Sequence, residues 1–489
     1  GTSNPTAGRL RQREGSDHRI WQGRSSRHIR QPVKGSVTPI VSPFVFKRAN
    51  QFRIRILLSL TMLFLAGVLL GGCSDEATSK HRGDQFSMYD AGDNAAGGAR
   101  GAPLRHYMES GKPIEVAVVW NSSVEMEGTN FWEGADLAAE EINSVRNPSF
   151  PKLKINRVDS APYLKRYGAA ENANGRFRNA FQIAASALAE DVLENRNNVA
   201  VIGHAFGENT ATSALLKYER KGILFLSSVS VDKRFSGLRA PLAFQLFPNL
   251  DVIAMRAAEF GKEAKIRRLI IIHQRGMYQS QEDPIPAFKK QLAAHSIDQV
   301  DVVSFKGVNN NTQTVAKITQ ELVAKMGPAA SNVGLLLLVE HQLAGLIFEQ
   351  LSVLRLTPPM LAAGRMDIFE EKNKDMYPGF TYLDIYSKDR SFLAQRFYQS
   401  FKTRYPDLTP TNYAALGYDH IRLLYQALLC AGTTDPGSVA LTMRYNLPKW
   451  HGASGAYSFD QAFSNQGGNL IFRQFKQTKG ELEIVTLDF

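Results

Sequence analysis

The sequence lacks the common signatures of enzymes and of metal-binding proteins. It has only two cysteines in 489 residues, and no Cys/His group has the spacing of a metal site. It contains no GxSxG or HExxH motif, no phosphate-binding P-loop and no dinucleotide-binding glycine fingerprint. His204 and His273 each end a predicted strand alone, a position more typical of structural histidines or ligand donors. We therefore predict no catalytic residue, no metal and no cofactor.

Net positive charge is also small outside the N-terminus. The formal net charge is +12 at pH 7. Residues 1–55 contain twelve Lys or Arg and two acidic residues, a net of +10, which leaves +2 for the rest. Phosphate-backbone binding by the folded part is therefore unsupported, and nucleic acid is not an expected partner. Residues 1–55 are predicted to be a disordered basic segment.

A short apolar run follows this segment. Residues 56–70, ILLSLTMLFLAGVLL, carry no charge but are fewer than the ~20 residues that a spanning helix needs. A basic flank before the run and Gly-Gly after it are the layout of a secretory signal peptide. Residues 70–73, LGGC, resemble the bacterial lipobox, so residues 56–73 predict export and acylation of Cys73. An uncleaved anchor with an incidental cysteine is the alternative.

Lipidation has consequences for the neighbouring segments. With Cys73 modified, Cys430 would have no disulfide partner and is expected to be a small buried apolar side chain. Residues 74–111 are predicted to be a flexible tether. Ser74 after the cysteine resembles the enterobacterial outer-membrane sorting signal, although that rule is not universal, so anchoring to either the inner or the outer membrane stays open.

The clearest local pattern is a β-α-β unit. Val199–Ile202 predicts a buried strand, and Gly203 permits a sharp turn after it. Asn209 and Thr210 can cap a helix, and Ile223–Leu226 predicts the next strand, which ends in serines. Two parallel strands end at the same sheet edge, where free N–H groups and the helix dipole suit an anion. Capping and turn formation alone would explain the same residues.

The chain repeats this alternation in two blocks. Apolar strands alternate with helices before residues 243–248 and again after them, with a long polar insertion predicted at residues 161–176. Such alternation predicts an α/β fold with two doubly wound parallel-sheet lobes.

Six motifs occur along the chain in an order that is typical of one protein family. They are GADLAAEEIN; a strand end at Asp159; VAVIGHAFGENTAT with KGILFLSS; RLIIIHQRGMYQ; FYQSFKTRYPDLTPTNYAALGYDHIRLLYQAL; and WHGASGAYSFD followed by GG. From Ile114 to Phe475 the chain resembles the type I periplasmic solute-binding proteins of the branched-chain amino-acid-binding class. This resemblance implies two lobes with a ligand between them: residues 112–242 and 384–450 form lobe 1, residues 249–376 and 461–489 form lobe 2, and residues 243–248, 377–383 and 451–460 are hinge crossings.

Ligand contacts are expected in both lobes. The resemblance implies Gly207, Glu208, Asn209, Thr210, Ser228 and Ser230 in the first lobe, Tyr278 in the second, and Tyr413 as a further cleft aromatic residue. Glu208 replaces a neutral hydroxyl of other members, and Ser230 serves only if it takes the place of a family threonine. Glu340 and Asp367 end strands and would pair with an ammonium group, because a desolvated unpaired charge is costly. Solvated loop residues are the alternative for each.

Two functions follow from these expectations. The first is a monomeric, lipid-anchored receptor in the periplasm that captures a small polar solute and presents it to the permease of an ABC importer. The alternative is a lipoprotein that uses the same fold to bind a protein, as a sensor or as a regulator of a periplasmic enzyme such as a peptidoglycan synthase.

Overall fold

The computed structural model describes residues 99–123, 128–174, 180–205, 208–231, 233–275, 283–306, 312–327, 333–363, 378–447, 449–478 and 481–487. The expectations for the basic segment, the signal peptide, Cys73 and most of the tether lie outside these residues. Within the described ranges, no helix has both the length and the apolar character needed to cross a membrane.

The first lobe contains a parallel sheet of five strands in the order β2-β1-β3-β4-β5. The strands are β1 Ile114–Trp120, β2 Leu153–Asp159, β3 Asn198–Gly203, β4 Leu224–Ser227 and β5 Ala243–Gln245. The helices are α1 Leu104–Ser110, α2 Phe131–Ser144, α3 Ala161–Asn174, α4 Ala180–Glu194, α5 Glu208–Arg220 and α6 Lys233–Gly237.

The second lobe contains a seven-stranded sheet in the order β14-β13-β10-β9-β8-β6-β7. Its parallel strands are β6 Arg268–Arg275, β7 Gln299–Lys306, β8 Val333–Leu338, β9 Met360–Ala362 and β10 Thr381–Asp384. The helices are α7 Leu250–Glu263, α8 Ile285–Ala294, α9 Thr312–Met326 and α10 His341–Val353. At one edge the sheet is completed by two antiparallel strands from the end of the chain, β13 Ile471–Thr478 and β14 Glu481–Leu487.

Between β10 and β13 the chain returns to the first lobe. It forms α11 Phe392–Arg404, α12 Asn412–Ala431, α13 Pro436–Leu441, a π-helix at Thr442–Asn446, and a hairpin of β11 Trp450–Gly452 and β12 Gly455–Tyr457. The prediction of two doubly wound α/β lobes, the first of them discontinuous in sequence, is confirmed.

Side chains alternate between two helical layers on each sheet. In β1, Val116 and Val118 belong to the core that includes α2 and α12, whereas Ala117 and Val119 belong to the core that includes α4 and α5. The same alternation holds in β6. Helices on both faces explain why these strands are apolar throughout, as the sequence indicates.

Glycines fix two close approaches in the first lobe. Gly203 has φ +118°, and a Cβ atom there would overlap the carbonyl oxygen of Val119. A Cβ atom at Gly417 on α12 would overlap the carbonyl oxygen of Phe131 on α2. The turn after β3 and the contact between these two helices therefore both require glycine.

Two local expectations are wrong. The tether does not extend to residue 111, because α1 packs on the core: Leu104 and Tyr107 are buried, and the N–H of Leu104 donates to the carbonyl of Gly432 at 3.0 Å. The polar stretch at residues 161–176 is not an insertion but mostly α3, which packs on α4. Both helices escape detection because one is only seven residues long and the other has few apolar positions.

The crossing boundaries also differ from those expected. β5 lies in the first sheet, so the first crossing begins after Gln245, and β10 lies in the second sheet, so the second crossing begins after Asp384. Residues 450–457 form the β11–β12 hairpin, which packs on α12, and this moves the third crossing to residues 458–470. A crossing and a short strand have similar sequence patterns, and only hydrogen bonding to neighbouring strands distinguishes them.

Cys430 differs from its predicted state. It lies half-buried near the end of α12, where Gln426 Nε2 donates to its sulfur at 3.4 Å, and it is not a free thiol. The expectation of a small buried apolar side chain without a disulfide partner is therefore wrong in part: Cys430 packs against the core, but it is only half-buried and is not a free thiol.

Candidate functional site

The strand ends of each sheet form one edge. In the first sheet, Val119, Gly203 and Ser227 lie opposite one another on β1, β3 and β4. In the second sheet, His273 on β6 lies opposite Leu338 on β8. Ligands of open α/β sheets bind in the crevice outside the carboxyl ends of the strands, so these two edges are the candidate site.

Tyr413 lies in an aromatic cluster at the end of β1. The Trp120 indole stacks on Phe131 with ring centroids 3.9 Å apart, and the Tyr413 ring is centred 5.6 Å from Trp120. Trp120 Nε1 donates to Thr129 Oγ1 at 3.0 Å, and all three rings are buried. The structure thus places Tyr413 in the wall of the first edge, where contact with a ligand stays a prediction.

His204 holds the start of the loop after β3. Its backbone has φ +61°, and its Nε2 lies 2.9 Å from the hydroxyl oxygen of Tyr218 on α5. Burial lowers the pKa of His204 to about 3, so the ring is neutral at pH 7. A neutral histidine bonded inside the lobe is structural, which agrees with one of the two roles that its lone position suggests.

The two candidate serines after β4 differ in their bonding. Ser228 Oγ lies 2.9 Å from Nδ1 of His420 on α12, and both side chains are fully buried. Ser230 is equally buried, its carbonyl accepts from Gln245 Nε2 at 3.0 Å, and its hydroxyl has no hydrogen-bond partner among the described residues. Because buried hydroxyls are normally paired, Ser230 is the stronger ligand candidate, and Ser228 serves to join the loop to α12.

Glu340 is the described acidic candidate at the second edge. Its backbone N–H donates to Gln274 Oε1 at 3.0 Å, directly before α10. Its half-buried carboxylate forms no capping bond and no ion pair with the described residues. The carboxylate is therefore available to a positively charged group of a ligand.

The other candidates are described only in part. Gly207, Tyr278 and Asp367 lie outside the described residues, as does Cys73. Glu208, Asn209 and Thr210 form the first turn of α5, one residue earlier than expected, and their side chains also lie outside the description. Of the ten ligand candidates, the structure therefore locates the side chains of Ser228, Ser230, Tyr413 and Glu340, the first three in one lobe and the fourth in the other.

The end of β5 and the start of the first crossing are bonded to the third crossing. The N–H of Gln245 donates to the carbonyl of Phe463 at 2.9 Å, and the N–H of Asn465 donates to the carbonyl of Gln245 at 2.9 Å. Asn465 Nδ2 also donates to the carbonyl of Leu246 at 2.8 Å. These buried bonds make the two segments one unit at the boundary between the lobes.

Arg390 connects the second and third crossings. Within the described part of the chain, its guanidinium donates to four backbone carbonyls, those of Ile385, Ser454, Asn469 and Gly468, at 2.5 to 2.9 Å. Burial lowers the pKa of Arg390. A Cβ atom at Gly455 would lie 2.7 Å from Nη2, so the hairpin turn leaves room for this group. Sequence reasoning missed Arg390, because its partners lie up to 79 positions away.

Asp384 forms a contact from one lobe to the other. Its Oδ1 accepts from Nδ2 of Asn412, the first residue of α12, at 3.1 Å, and its Oδ2 lies 3.5 Å from Nη1 of Arg473 on β13. The Asp384 and Arg473 side chains are only 6% and 11% exposed. Because β10 belongs to the second sheet and α12 packs on the first lobe, movement of the lobes would stretch the bond to Asn412.

A metal site is not evident in the described ranges, where no three His, Cys, Asp or Glu side chains cluster as ligands. The arrangement that is evident consists of two sheets with loop edges and three bonded crossings. It defines a hinged two-lobed binding protein.

Comparisons with known proteins agree with this class. A family model described as periplasmic binding protein matches residues 182–480, more than half of the chain. The chain therefore belongs to the periplasmic binding protein family. A comparison with curated protein sequences gave no match.

Solved structures of this kind share the fold. An ABC transporter substrate-binding protein from Desulfitobacterium hafniense in complex with Leu has a TM-score of 0.60 at 22% identity, covering 76% of this chain and 100% of its own. A leucine-binding protein from Thermotoga maritima has a TM-score of 0.58 at 16% identity, with 76% and 97% covered. A solute-binding protein from R. palustris in complex with benzoate has a TM-score of 0.57 at 15% identity, with 76% and 96% covered.

Proposed function

We propose that the protein is a lipid-anchored periplasmic receptor that captures a small polar solute, such as an amino acid or amide, for an ABC importer. The observation that carries this proposal is the available carboxylate of Glu340 at one strand-end edge of a hinged two-lobed fold. Support comes from family membership and from similar structures whose ligands are leucine in one case and benzoate in another.

Capture would proceed by hinge closure. A solute that contacts both edges binds the closed form better than the open form and so shifts the population toward closure. Residues 246–249, 385–391 and 458–470 are the proposed hinge segments, and the Asp384–Asn412 bond is the contact that reports their movement. We expect the receptor to act as a monomer.

The polar candidate residues form two groups, one suited to a carboxylate of the solute and the other to an ammonium group. A carboxylate of the solute would meet the first turn of α5, with the hydroxyl of Ser230 as an additional donor. An ammonium group would pair with Glu340 or with Asp367, and Tyr278 and Tyr413 would cover the apolar part. A solute of this chemistry leaves no desolvated charge unpaired.

Thermal-shift screening tests the proposal directly. The mature chain is screened against amino acids, amides and small organic acids, because a bound solute stabilises the native state by mass action. At a solute concentration of 100 Kd, the expected stabilisation is about 2.7 kcal/mol. If no compound shifts the melting temperature and the protein captures a periplasmic enzyme, the proposal of a receptor for an importer would be replaced by that of a protein-binding lipoprotein.

One observation favours that second candidate. Ser228 is occupied by His420, and Val231, also buried, follows where the family pattern ends in threonine. Of the two candidate serines in the loop after β4, only Ser230 thus keeps a hydroxyl available for an amino-acid carboxylate. A pull-down with purified peptidoglycan synthase tests this candidate, and retention of the enzyme without any solute shift would support it.

The lipid anchor has its own test. Cys430 is not a free thiol in the structure. A disulfide between Cys430 and Cys73 would exclude acylation of Cys73, because both modifications use the sulfur of Cys73. Mass spectrometry of the membrane-extracted chain should give a diacyl or triacyl mass at an N-terminal Cys73. An unmodified Cys73, or one bonded to Cys430, would remove the anchor from the proposal.

A further inference from the structure

A small cavity lies on the flank of the first lobe. It has a volume of about 40 Å³ and lies between α11, α12 and the β11–β12 hairpin. None of its lining residues comes from the loops that follow β1, β3 and β4, so the cavity is separate from the candidate solute site. Its lining includes two arginines, Arg396 and Arg422, together with Trp450 and His451.

Arg422 has donors without acceptors. Its side chain is 15% exposed, and its Nη1 donates to Glu141 Oε2 at 2.9 Å and to the Tyr418 hydroxyl at 3.1 Å. Its Nε and Nη2 bond to none of the described residues. These two nitrogens are not among the buried unpaired atoms of the described residues, so an anion that enters the cavity can accept charge-assisted hydrogen bonds from them.

Arg396 faces the same cavity from α11. It is partly buried and forms no ion pair or hydrogen bond with the part of the chain that the structure describes. Both Arg396 and Arg422 act electrostatically on the hydroxyl of Tyr418, and both oppose the rise in its pKa that burial causes. Two guanidinium groups that line one small cavity repel each other, and an anion between them would relieve this repulsion.

The neighbouring acids do not meet this need. Asp419 Oδ1 accepts from the N–H of Ala453 at 2.8 Å, and its Oδ2 accepts from the N–H of Ser454 at 2.7 Å. Glu141 is occupied by Arg422 and by the Tyr418 hydroxyl, which donates to it at 2.6 Å. Both carboxylates already accept hydrogen bonds, whereas N–H groups of Arg396 and Arg422 still lack an acceptor among the described residues.

We propose that this cavity binds a carboxylate or phosphate group between Arg396 and Arg422, with the ring of Trp450 as one wall. By volume the cavity holds about three waters, which is room for one anionic group and too little for a whole metabolite. The group therefore belongs either to a small free anion or to the carboxyl end of a peptide that reaches in from outside.

Calorimetry on the mature chain tests this site. The probes are acetate, inorganic phosphate, and an acetylated dipeptide with a free or an amidated C-terminus, all at constant ionic strength. We expect saturable binding that Arg396→Gln weakens at least tenfold, whereas Arg105→Gln, which removes one charge from an 81% exposed side chain, leaves it unchanged. Binding of acetate or phosphate indicates a free anion, and preference for the free over the amidated dipeptide indicates a peptide end.

Iodide-soaked crystals give a second readout that does not depend on affinity. An anomalous peak between Arg396 and Arg422 supports the site, and its loss in Arg396→Gln crystals shows in the same map that the variant is folded. Binding that is equal in wild type and Arg396→Gln, or the absence of any peak, overturns the proposal. The shift caused by a solute in the interlobe site should be unaffected by Arg396→Gln, so failure of one proposal is distinguishable from failure of the other.

Discussion

Both lobes are doubly wound α/β structures, but they differ in how closely their elements pack. In the first lobe, Gly417 brings α12 against the backbone of α2, and its strand-end groups, such as His204, are bonded internally. In the second lobe, a Cβ atom at Gly261 would meet only the flexible end of Ile297, and Glu340 keeps an available carboxylate. The comparison indicates that the first lobe provides a tightly packed wall of the candidate site, and that the second lobe provides a carboxylate available to a ligand.

Removing the connection between the lobes should give the largest effect. Arg390→Met leaves four backbone carbonyls without their donor, three of them on buried residues, and lowers the free energy of unfolding by about 3 kcal/mol or more. We also expect urea unfolding to separate into two transitions, since the crossings no longer hold the lobes together. Arg105→Met, which changes an exposed side chain of α1, is the control. A single transition with an unchanged midpoint would contradict the role given to Arg390.

Acid should destabilise the first lobe more than the second, where burial lowers the pKa of one histidine, His273. Burial lowers the pKa of both His204 and His420 to about 3, whereas an unfolded histidine takes up a proton near pH 6.5. Their stabilising contribution is therefore present above pH 6.5 and lost as the pH falls, by about 2 kcal/mol each at pH 5. Burial raises the pKa of Asp419 to about 6, so its protonation favours the folded state and returns about 1 kcal/mol.

Hydrogen exchange at pH 7 and pH 5 checks this prediction. Amides of β3 and α12 should lose about 2–3 kcal/mol of protection, more than amides of β8, which carries no buried histidine. Equal loss in both lobes would mean that His204 and His420 do not set the acid response.

Matched glycine substitutions compare packing directly. Gly417→Ala should lower the free energy of unfolding by about 2 kcal/mol, because the new methyl group meets backbone that cannot move aside. Gly261→Ala should change it by less than about 1 kcal/mol, since the end of Ile297 can rotate and the helix gains propensity. Chemical denaturation of both variants is the measurement, and equal losses would remove the contrast between the lobes.

The smallest effect on stability is expected at Glu340. Glu340→Gln should change the free energy of unfolding by less than about 0.5 kcal/mol, because the carboxylate has no described partner to lose. Affinity for a solute with an ammonium group should fall at least tenfold. Glu349→Gln, exposed on the same helix, is the matched control. Unchanged affinity in Glu340→Gln would exclude Glu340 from the site.

Local patterns predict much of the fold and little of the hinge. The strand Ile114–Trp120 and the helix ending at Ala431 follow from apolar runs and periodicity, which act over short distances in sequence. Ser228 and His420 bond across 192 positions, and Arg390 bonds to carbonyls that no side-chain pattern marks. Such contacts arise only when the lobes have assembled, so the sequence indicates that a site exists at the strand ends but not which hydroxyls remain available.

A crystal structure with a solute from the thermal-shift screen tests the central claim most directly. We predict the solute between the lobes, in contact with the first turn of α5 or Ser230 on one side and with Glu340 on the other. A solute bound elsewhere, or in contact with a single lobe only, would contradict capture by lobe closure.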